Sequence, residues 1–556
     1  MKALSTADYI VFLFYFILIV GYGFWIYNRK KKESASSNDY FLAEGSLTWW
    51  AIGASLIASN ISAEQFIGMS GSGFKMGLAI ATYEWMAAIS LIVVAVFFIP
   101  VYLKNKIFTM PQFLNQRYNG TVAMIMAVFW LLLYVVVNLT SILYLGALAI
   151  SSISGFDLNL CMAFLAFFSI MITLGGMKVI GFTDVIQVFF LILGGLATTY
   201  LALNLVADHF GGSGVVDGFN LMTTHASDHF EMIFDKTNSN YADLPGLSVL
   251  VGGMIIINLN YWGCNQYITQ RALGADLKTA RSGILFASFL KLLMPIIVVL
   301  PGIAAYVLHQ QGGFQAEMLQ GGELNPDRAY PVLLNLLPSG LKGLSFAALT
   351  AAIVASLAGK ANSIATIFTL DIYKQRLNID ASEKKLVKVG KITVVAAMAI
   401  AILIAPFMGI DKKGGFQFIQ EFTGFLSPGI FAMFILGFFW KKTTSNAALF
   451  GMIGGFLFSI FFKFLPGFID LSFLYDWGFA VANADGIYEI PFIDRMGFVF
   501  LICVTGMFFI SMKESQKGVR TNGLEIDTAM FKVTPGFAVG SIIVTALIAA
   551  LYIFFW

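Results

Sequence analysis

Inside long apolar runs this chain places five polar side chains able to bind a solute: the amides of Gln65, Asn258 and Gln420, the carboxylate of Glu84 and the ammonium of Lys291. Four aromatic rings accompany them in sequence, Tyr83, Tyr261, Trp262 and Phe416. A sugar hydroxyl both donates and accepts, so amides and charged groups can satisfy it. The C–H face of a pyranose packs on an aromatic ring. An amino acid would instead call for a helix end aimed at its carboxylate and a site for its ammonium. The mix therefore suits a neutral, polyhydroxylated ligand. Plainer roles stay open on residue chemistry alone. Glu84 lies near the end of its run, where a carboxylate reaches interfacial water, and Lys291 would serve as a structural lysine bonded to an unwound carbonyl. Gln417 and Gln420, three apart on one helix face, would be the wetted end of a helix.

The elements that must position these residues are two membrane-length segments, 49–74 and 246–267. Each is interrupted by a polar cluster: Ala58-Ser59-Asn60-Ile61-Ser62-Ala63-Glu64-Gln65 in the first, Asn258-Leu259-Asn260-Tyr261-Trp262-Gly263-Cys264-Asn265-Gln266 in the second. In hydrocarbon every backbone polar group needs a partner within the protein, so non-helical backbone survives only where it is buried or lines a cavity. Paired discontinuous helices in two halves of a chain point to a carrier's substrate site.

The 556 residues are 58% hydrophobic and 12% charged, with a mean hydropathy of +0.81, outside the range of soluble globular chains. The sequence predicts an all-α, polytopic membrane protein of about fourteen spans: 8–27, 48–72, 78–103, 122–150, 160–176, 182–205, 246–267, 283–309, 340–371, 388–410, 416–439, 445–466, 491–511 and 534–555. Run 9–27 reads as a retained first helix, since it has no basic leader or small-residue cleavage site. Basic residues collect in alternate loops: Arg29 to Lys32; Lys104, Lys106 and Arg117; Arg271, Lys278 and Arg281; 374–391; Lys441 and Lys442; Lys513, Lys517 and Arg520. Lys412 and Lys413 are the exception. The positive-inside rule then makes these loops cytoplasmic and puts both termini outside. A net charge of +3 over this length gives no reason to expect nucleic acid as a partner. The partner that the hydropathy demands is the lipid bilayer. The three cysteines, Cys161, Cys264 and Cys503, sit in apolar runs and imply no disulfide framework. No loop carries an acid–base constellation large enough for a donor substrate, so an enzyme is the class least supported.

The broken segments are spans 2 and 7, five apart. That spacing predicts two inverted five-helix repeats, the second in opposite orientation. The expected division is 1–47, a peripheral first helix with a basic loop; 48–205, the first repeat (spans 2–6); 206–245, an outer loop; 246–439, the second repeat (spans 7–11); and 440–556, peripheral spans 12–14.

Read as stretches, these residues resemble the sodium/solute symporter family, in its bacterial sodium/galactose and animal sodium/glucose branch. The likeness runs over essentially the whole chain. It is densest in 58–73 (ASNISAEQFIGMSGSG), Tyr83-Glu84-Trp85-Met86, Asn138-Leu139-Thr140-Ser141, Thr183-Asp184-Val185-Ile186-Gln187, Tyr261-Trp262-Gly263, Asn265-Gln266-Tyr267 and 416–428. The resemblance implies a LeuT-like core, sodium as coupling ion, and alternating access of a central sugar site. By position, its sugar contacts fall on Gln65, Glu84, Asn258, Lys291 and Gln420, with Asn60 close by. Tyr261 matches the inner-gate ring and Asn138 its hydrogen-bond partner, while Met69, Tyr134 and Phe416 match an outer hydrophobic gate. The implied sodium site uses the carbonyls of Ala58, Ile61 and Ala352 and two adjacent hydroxyls of span 9; Asp184 matches a carboxylate on the ion's exit path. Short-range oxygens suit a small hard cation. The compact loops and the lack of an animal-type C-terminal extension match a bacterial plasma membrane.

Two departures stand out. The family's serine after Tyr-Glu-Trp-Met is Ala87, which leaves the hexose open. Of the paired hydroxyls only Ser356 remains, beside Ala355, and Lys360 follows one helical turn later. In one reading water replaces the lost ligand and Lys360 pairs with Asp184 or snorkels inward. In the other its ammonium competes with sodium, and transport of sugar is sodium-independent or linked to a proton on that lysine. A sugar sensor, or a sodium symporter of another polar solute such as an inositol or an acidic sugar, completes the alternatives.

Overall fold

The computed structural model describes residues 4–29, 47–175, 177–320, 322–407, 415–483 and 485–556. The basic residues Lys30 to Lys32 and Lys412-Lys413 lie outside the described residues. Among those described, eleven helical stretches are long and apolar enough to cross a membrane, and a twelfth is the pair Gly415–Gly424 and Ser427–Phe439, bent by 50°. The fourteen expected segments map onto this set. The run Glu64–Lys104 turns at Gly77 (φ 71°), so it holds the end of span 2 and all of span 3, and span 5 is the shorter helix Leu158–Thr173. The left-handed backbone at Gly77 is one that a side chain would strain. Two hairpins with two residues per strand are the strands present among the described residues. The outer loop 206–245 is itself partly helical, with Gly214–His225 at its centre.

Span 2 breaks where its sequence offers side chains that compete for the backbone. Helix Trp49–Asn60 ends at Ile61, which is extended (φ −79°, ψ 102°). The Ser62 N–H, which would close the last turn on the Ala58 carbonyl, instead donates to Gln65 Oε1 at 3.1 Å. Ser62 Oγ in turn accepts from the Glu64 N–H at 3.2 Å, as a cap does for a new helix. The chain restarts as a π-helical turn, Glu64–Met69. The N–H groups of Gln65 and Phe66 both turn to the Ser62 carbonyl, at 3.2 Å each.

The second break falls within the predicted cluster 258–266, at its far end rather than at Asn258. Helix Gly253–Gly263 runs unbroken through Asn258 and Asn260, and the interruption falls at Cys264-Asn265 before helix Gln266–Leu273. The amide donors find partners without unwinding: Asn258 Nδ2 donates to the Met254 carbonyl at 3.0 Å and Asn260 Nδ2 to Ser427 Oγ at 3.2 Å, while Asn260 Oδ1 is buried with no hydrogen-bond partner among the described residues. At the true break Tyr102 Oη donates to the Gly263 carbonyl at 2.7 Å, which takes up one of the helix's orphan acceptors.

By residue contacts the chain forms two units, each drawing on both halves of the sequence: 1–81, 131–231 and 289–419; and 82–130, 232–288 and 420–556. The first centres on span 9, helix Leu341–Thr366, buried along nearly its whole length. It is rich in Ala, Ser and Gly, so spans 1, 5, 6 and the first half of span 2 can pack closely against it. In the second unit, helix Thr82–Val93 packs on Gly253–Gly263, which also meets Ser427–Phe439 and Phe492–Gln516.

Two of the arginines that give the loops their charge pattern are buried and bind backbone carbonyls, Arg117 at a helix end and Arg281 at the π turn Val94–Phe98. Arg117 donates through Nε to the Gly437 carbonyl (2.7 Å), through Nη1 to Thr443 (3.0 Å) and through Nη2 to Trp440 (2.9 Å). Arg281 reaches the carbonyls of Ala95, Val96, Met530 and Lys532. In the first unit Asp327, wholly buried in the 311–340 loop, plays the matching role outside the spans. Its Oδ2 accepts from the Gly415 N–H at 2.8 Å, and it lies against Gly71, where any Cβ would come within 2.8 Å of the Asp327 amide nitrogen. Burial pushes the Asp327 carboxyl up to about 7, against the downward pull of the Gly415 N–H.

Two outcomes follow. Arg117→Met removes these three charge-assisted bonds and a fourth, from Nη2 to the Lys441 carbonyl at 3.3 Å, and is expected to cost on the order of 3 kcal/mol, read as a lower unfolding midpoint in detergent. A carboxyl raised on folding stabilises in its protonated form. Asp327 therefore contributes fully below its unfolded value near 4 and loses that contribution as pH rises through about 7. The melting temperature of Asp327→Asn relative to the parent is expected to rise between pH 5 and pH 8.

Candidate solute and cation site

Every side chain assigned by resemblance to the cation site, the outer gate and one wall of the solute site falls in the first unit. Asn60 is the last residue of the broken helix, and its Oδ1 accepts from Lys291 Nζ, so the buried ammonium is held by a side-chain amide. Lys291 sits four residues before Pro295, which has no N–H to return to the Lys291 carbonyl. Gln65 is buried, with Oε1 committed to the Ser62 N–H. Met69 closes the same π turn, and Tyr134 and Asn138 share another, Leu133–Leu139. π turns recur at functional sites because they shift the register of the side chains beyond them. Phe416 meets this wall through Gly68: a Cβ there would lie 2.8 Å from the Phe416 nitrogen.

The oxygens expected to hold sodium are arranged around the break. The Ala58 carbonyl has lost the Ser62 N–H to Gln65, and the Ile61 carbonyl is passed over by the N–H groups that turn to Ser62. Ala352, Ala355 and Ser356 are buried on span 9. Ser356 Oγ donates to the Ser59 carbonyl at 3.2 Å, so the hydroxyl stands at the first lip of the break. From there a polar chain runs along helix Trp49–Asn60: Ser59 Oγ donates to the Ser55 carbonyl (2.6 Å) and Ser55 Oγ to Asp184 Oδ2 (2.6 Å). The chain joins the assigned hydroxyl to the assigned exit carboxylate.

The structure gives Lys360 a carboxylate that the sequence reading did not name. Its Nζ lies 3.8 Å from Glu64 Oε1, at the second lip of the break. Sequence reasoning also gave no role to Ser55 and Ser59, although their i, i+4 spacing on one face of span 2 was a usable signal. One reading of Gln417 is a wetted helix end; it is buried, and both ends of its amide lack a hydrogen-bond partner among the described residues. Buried amides in that position are ligand-facing candidates.

In the second unit Glu84 and Tyr83 are buried on Thr82–Val93, the helix that Tyr552 Oη fixes by donating to Thr82 Oγ1 at 2.9 Å. Asn258 faces its own helix backbone. Tyr261 is half-buried and meets the buried Trp262 edge-on, ring centroids 5.2 Å apart. Gln420 is half-buried. Its neighbour Glu421 accepts from Lys463 Nζ at 2.5 Å and Arg495 Nη2 at 3.4 Å, which anchors the bend of span 11.

Comparison with known proteins places these features in a lineage. The family model "Sodium:solute symporter family" matches residues 40–455, well over half of the chain. A sodium/glucose cotransporter of Vibrio parahaemolyticus is 45% identical over 564 aligned residues, covering 100% of this chain and 99% of the relative. Sodium/myo-inositol cotransporter 2 of Homo sapiens is 34% identical over 482 residues, covering 82% and 69%. A solved sodium-coupled sialic acid symporter, substrate-bound and outward-open, shares the fold with a TM-score of 0.73 at 21% identity, covering 92% of this chain and 98% of that one. With the broken span, its freed carbonyls and full-length likeness in agreement, this chain belongs to the sodium:solute symporter family.

Proposed function

We propose that this protein is a multi-pass membrane carrier that couples the inward movement of sodium to uptake of a neutral hexose of the glucose or galactose type, by alternating access. The observation that carries this reading is the break in span 2. There the Ser62 N–H is diverted to Gln65 Oε1, which frees the Ala58 carbonyl for a cation. The same diversion leaves the Nε2 of Gln65 as its donor end for a solute hydroxyl. The full-length likeness to a sodium/glucose cotransporter supports the substrate class.

In this mechanism sodium is held by the carbonyls of Ala58, Ile61 and Ala352 and the hydroxyl of Ser356, oxygens that suit a hard cation. Ala355 contributes no side-chain oxygen. The sugar takes its hydrogen bonds from Asn60, Gln65, Glu84, Asn258, Lys291 and Gln420, and stacks on Tyr261, with Tyr83 beside it. Asn138 steadies that inner gate, and Met69, Tyr134 and Phe416 close the outer one. Sodium fixes the geometry of the break, and the break presents Asn60 and Gln65, so each ligand binds better when the other is present. Asp184 receives the ion on its way inward. Spans 2–6 and 7–11 form inverted repeats around this centre, and both termini face outward, in keeping with the basic alternate loops. One sodium per sugar moves one charge inward. About 2.3 kcal/mol per 100 mV is then available from the potential, enough for more than tenfold accumulation at about 1.4 kcal/mol per decade. A cyclitol offers the same ring of hydroxyls, and the 34% likeness to a sodium/myo-inositol cotransporter makes it the second solute to assay.

The deciding experiment is uptake of labelled hexoses and inositol into proteoliposomes under imposed sodium, potassium or pH gradients. Hexose uptake driven by sodium alone is expected; uptake indifferent to sodium would overturn the coupling. Ser356→Ala is expected to raise the sodium concentration for half-maximal uptake at least tenfold, and Ala355→Ser to lower it. Lys291→Ala removes a charge-assisted donor and is expected to weaken sugar binding on the order of 10- to 100-fold.

A further inference from the structure

Lys360 and Glu64 are the two charges nearest the break in the chain of span 9 and span 2, and the transport cycle described above uses neither. Lys360 is 3% exposed within a membrane-spanning helix, a place where an ammonium is retained only with a partner. Glu64 Oε1, 3.8 Å from its Nζ, is buried and accepts no hydrogen bond among the described residues, so the contact is one of charge. Lys360 follows Ser356 by one helical turn on the same face, and Glu64 follows Ile61 by three residues. Span 9 therefore touches both lips of the break: Ser356 at the Ser59 carbonyl on one side, Lys360 at the Glu64 carboxylate on the other.

We propose that the Lys360–Glu64 pair sets the sodium affinity of this transporter, the ammonium repelling and the carboxylate attracting an ion held at the break. The inference rests on the sodium-site assignment given above. With Ala355 in place of a second hydroxyl, fixed charges one turn from the ion account for more of its binding than they would beside a full ligand set. The pair as a whole is neutral, and its two members act in opposite directions. Removing the ammonium alone leaves a buried carboxylate beside the ion; removing the carboxylate alone leaves a buried cation there. Unscreened charges at such a range shift an ion's affinity by on the order of tenfold.

The test is direct binding of radiolabelled sodium to purified protein in detergent, without sugar, alongside sodium-dependent sugar uptake. Lys360→Met is expected to lower the half-saturating sodium concentration about tenfold, and Glu64→Gln to raise it about tenfold. The double variant is expected to return to within about threefold of the parent, because the opposed charges leave together. A pair that is only a structural brace would weaken sodium binding in both single variants without recovery in the double, and that result overturns the proposal. Should Lys360→Met not fold, Lys360→Gln with Glu64→Gln runs the same cycle. Ser356→Ala is the control for the underlying assignment. If it leaves sodium binding unchanged, the site itself is misplaced and the proposal falls with it. If it abolishes binding while the charge variants match the parent, the site stands and only the electrostatic role fails.

Discussion

A helix interrupted in hydrocarbon has to find partners for the groups it exposes, and most of what is distinctive here follows from how span 2 meets that demand. The Ser62 N–H turns to Gln65 Oε1, Ser62 Oγ caps the restarting chain, and Ser356 reaches in from span 9 to the Ser59 carbonyl. Each of these bonds is cheap to form because the groups are close in sequence or lie on a helix packed against the break. Together they turn the N–H groups that would close the last turn away from the carbonyls of Ala58 and Ile61. Backbone carbonyls turned out of a helix in this way are the kind of oxygens that the proposed sodium site requires.

The same accounting explains the second half of the chain and its arginines. Asn258 and Asn260 place their amide donors without distorting their helix, and the break falls at Cys264-Asn265, beyond a glycine whose carbonyl Tyr102 takes up. Arg117 answers to the same constraint at a helix end and Arg281 at a π turn, each gathering several carbonyls with one planar fork. Their charge reads in sequence as a topology signal. In the structure it binds backbone carbonyls, and for Arg117 the two roles are compatible because helix C-termini attract cations.

Much of this was legible in the sequence because it depends on patterns that a single chain displays. The spans are long apolar runs, and the polar cluster at 58–65 is improbable in such a run unless it interrupts the helix. The second interruption was legible to within the cluster 258–266 but not to the residue, since Asn258 can break a helix or decorate one, and only the Met254 carbonyl decides between them. The partner of Lys360 was hidden for a related reason. Sequence spacing relates Lys360 to Ser356 on its own helix, but the carboxylate that meets it belongs to another span, whose rotation about its axis is set by the π turn Glu64–Met69. Between the two readings open for Gln417, a wetted helix end or a shared binding face, the sequence could not decide, because it does not show that this helix end is covered.

Gly68 and Gly71 let the second half of span 2 approach the backbones of Phe416 and Asp327 so closely that a Cβ on either glycine would lie 2.8 Å from the facing amide nitrogen. Side chains yield by changing rotamer, whereas backbone against backbone has no such slack. A displacement of this half-helix, of whatever origin, is therefore handed on at full amplitude to the start of span 11 and to the loop before span 9. The glycines make the contact a gear without backlash, so that a movement small enough to fit around one ion need not be lost before it reaches the mouth of the site.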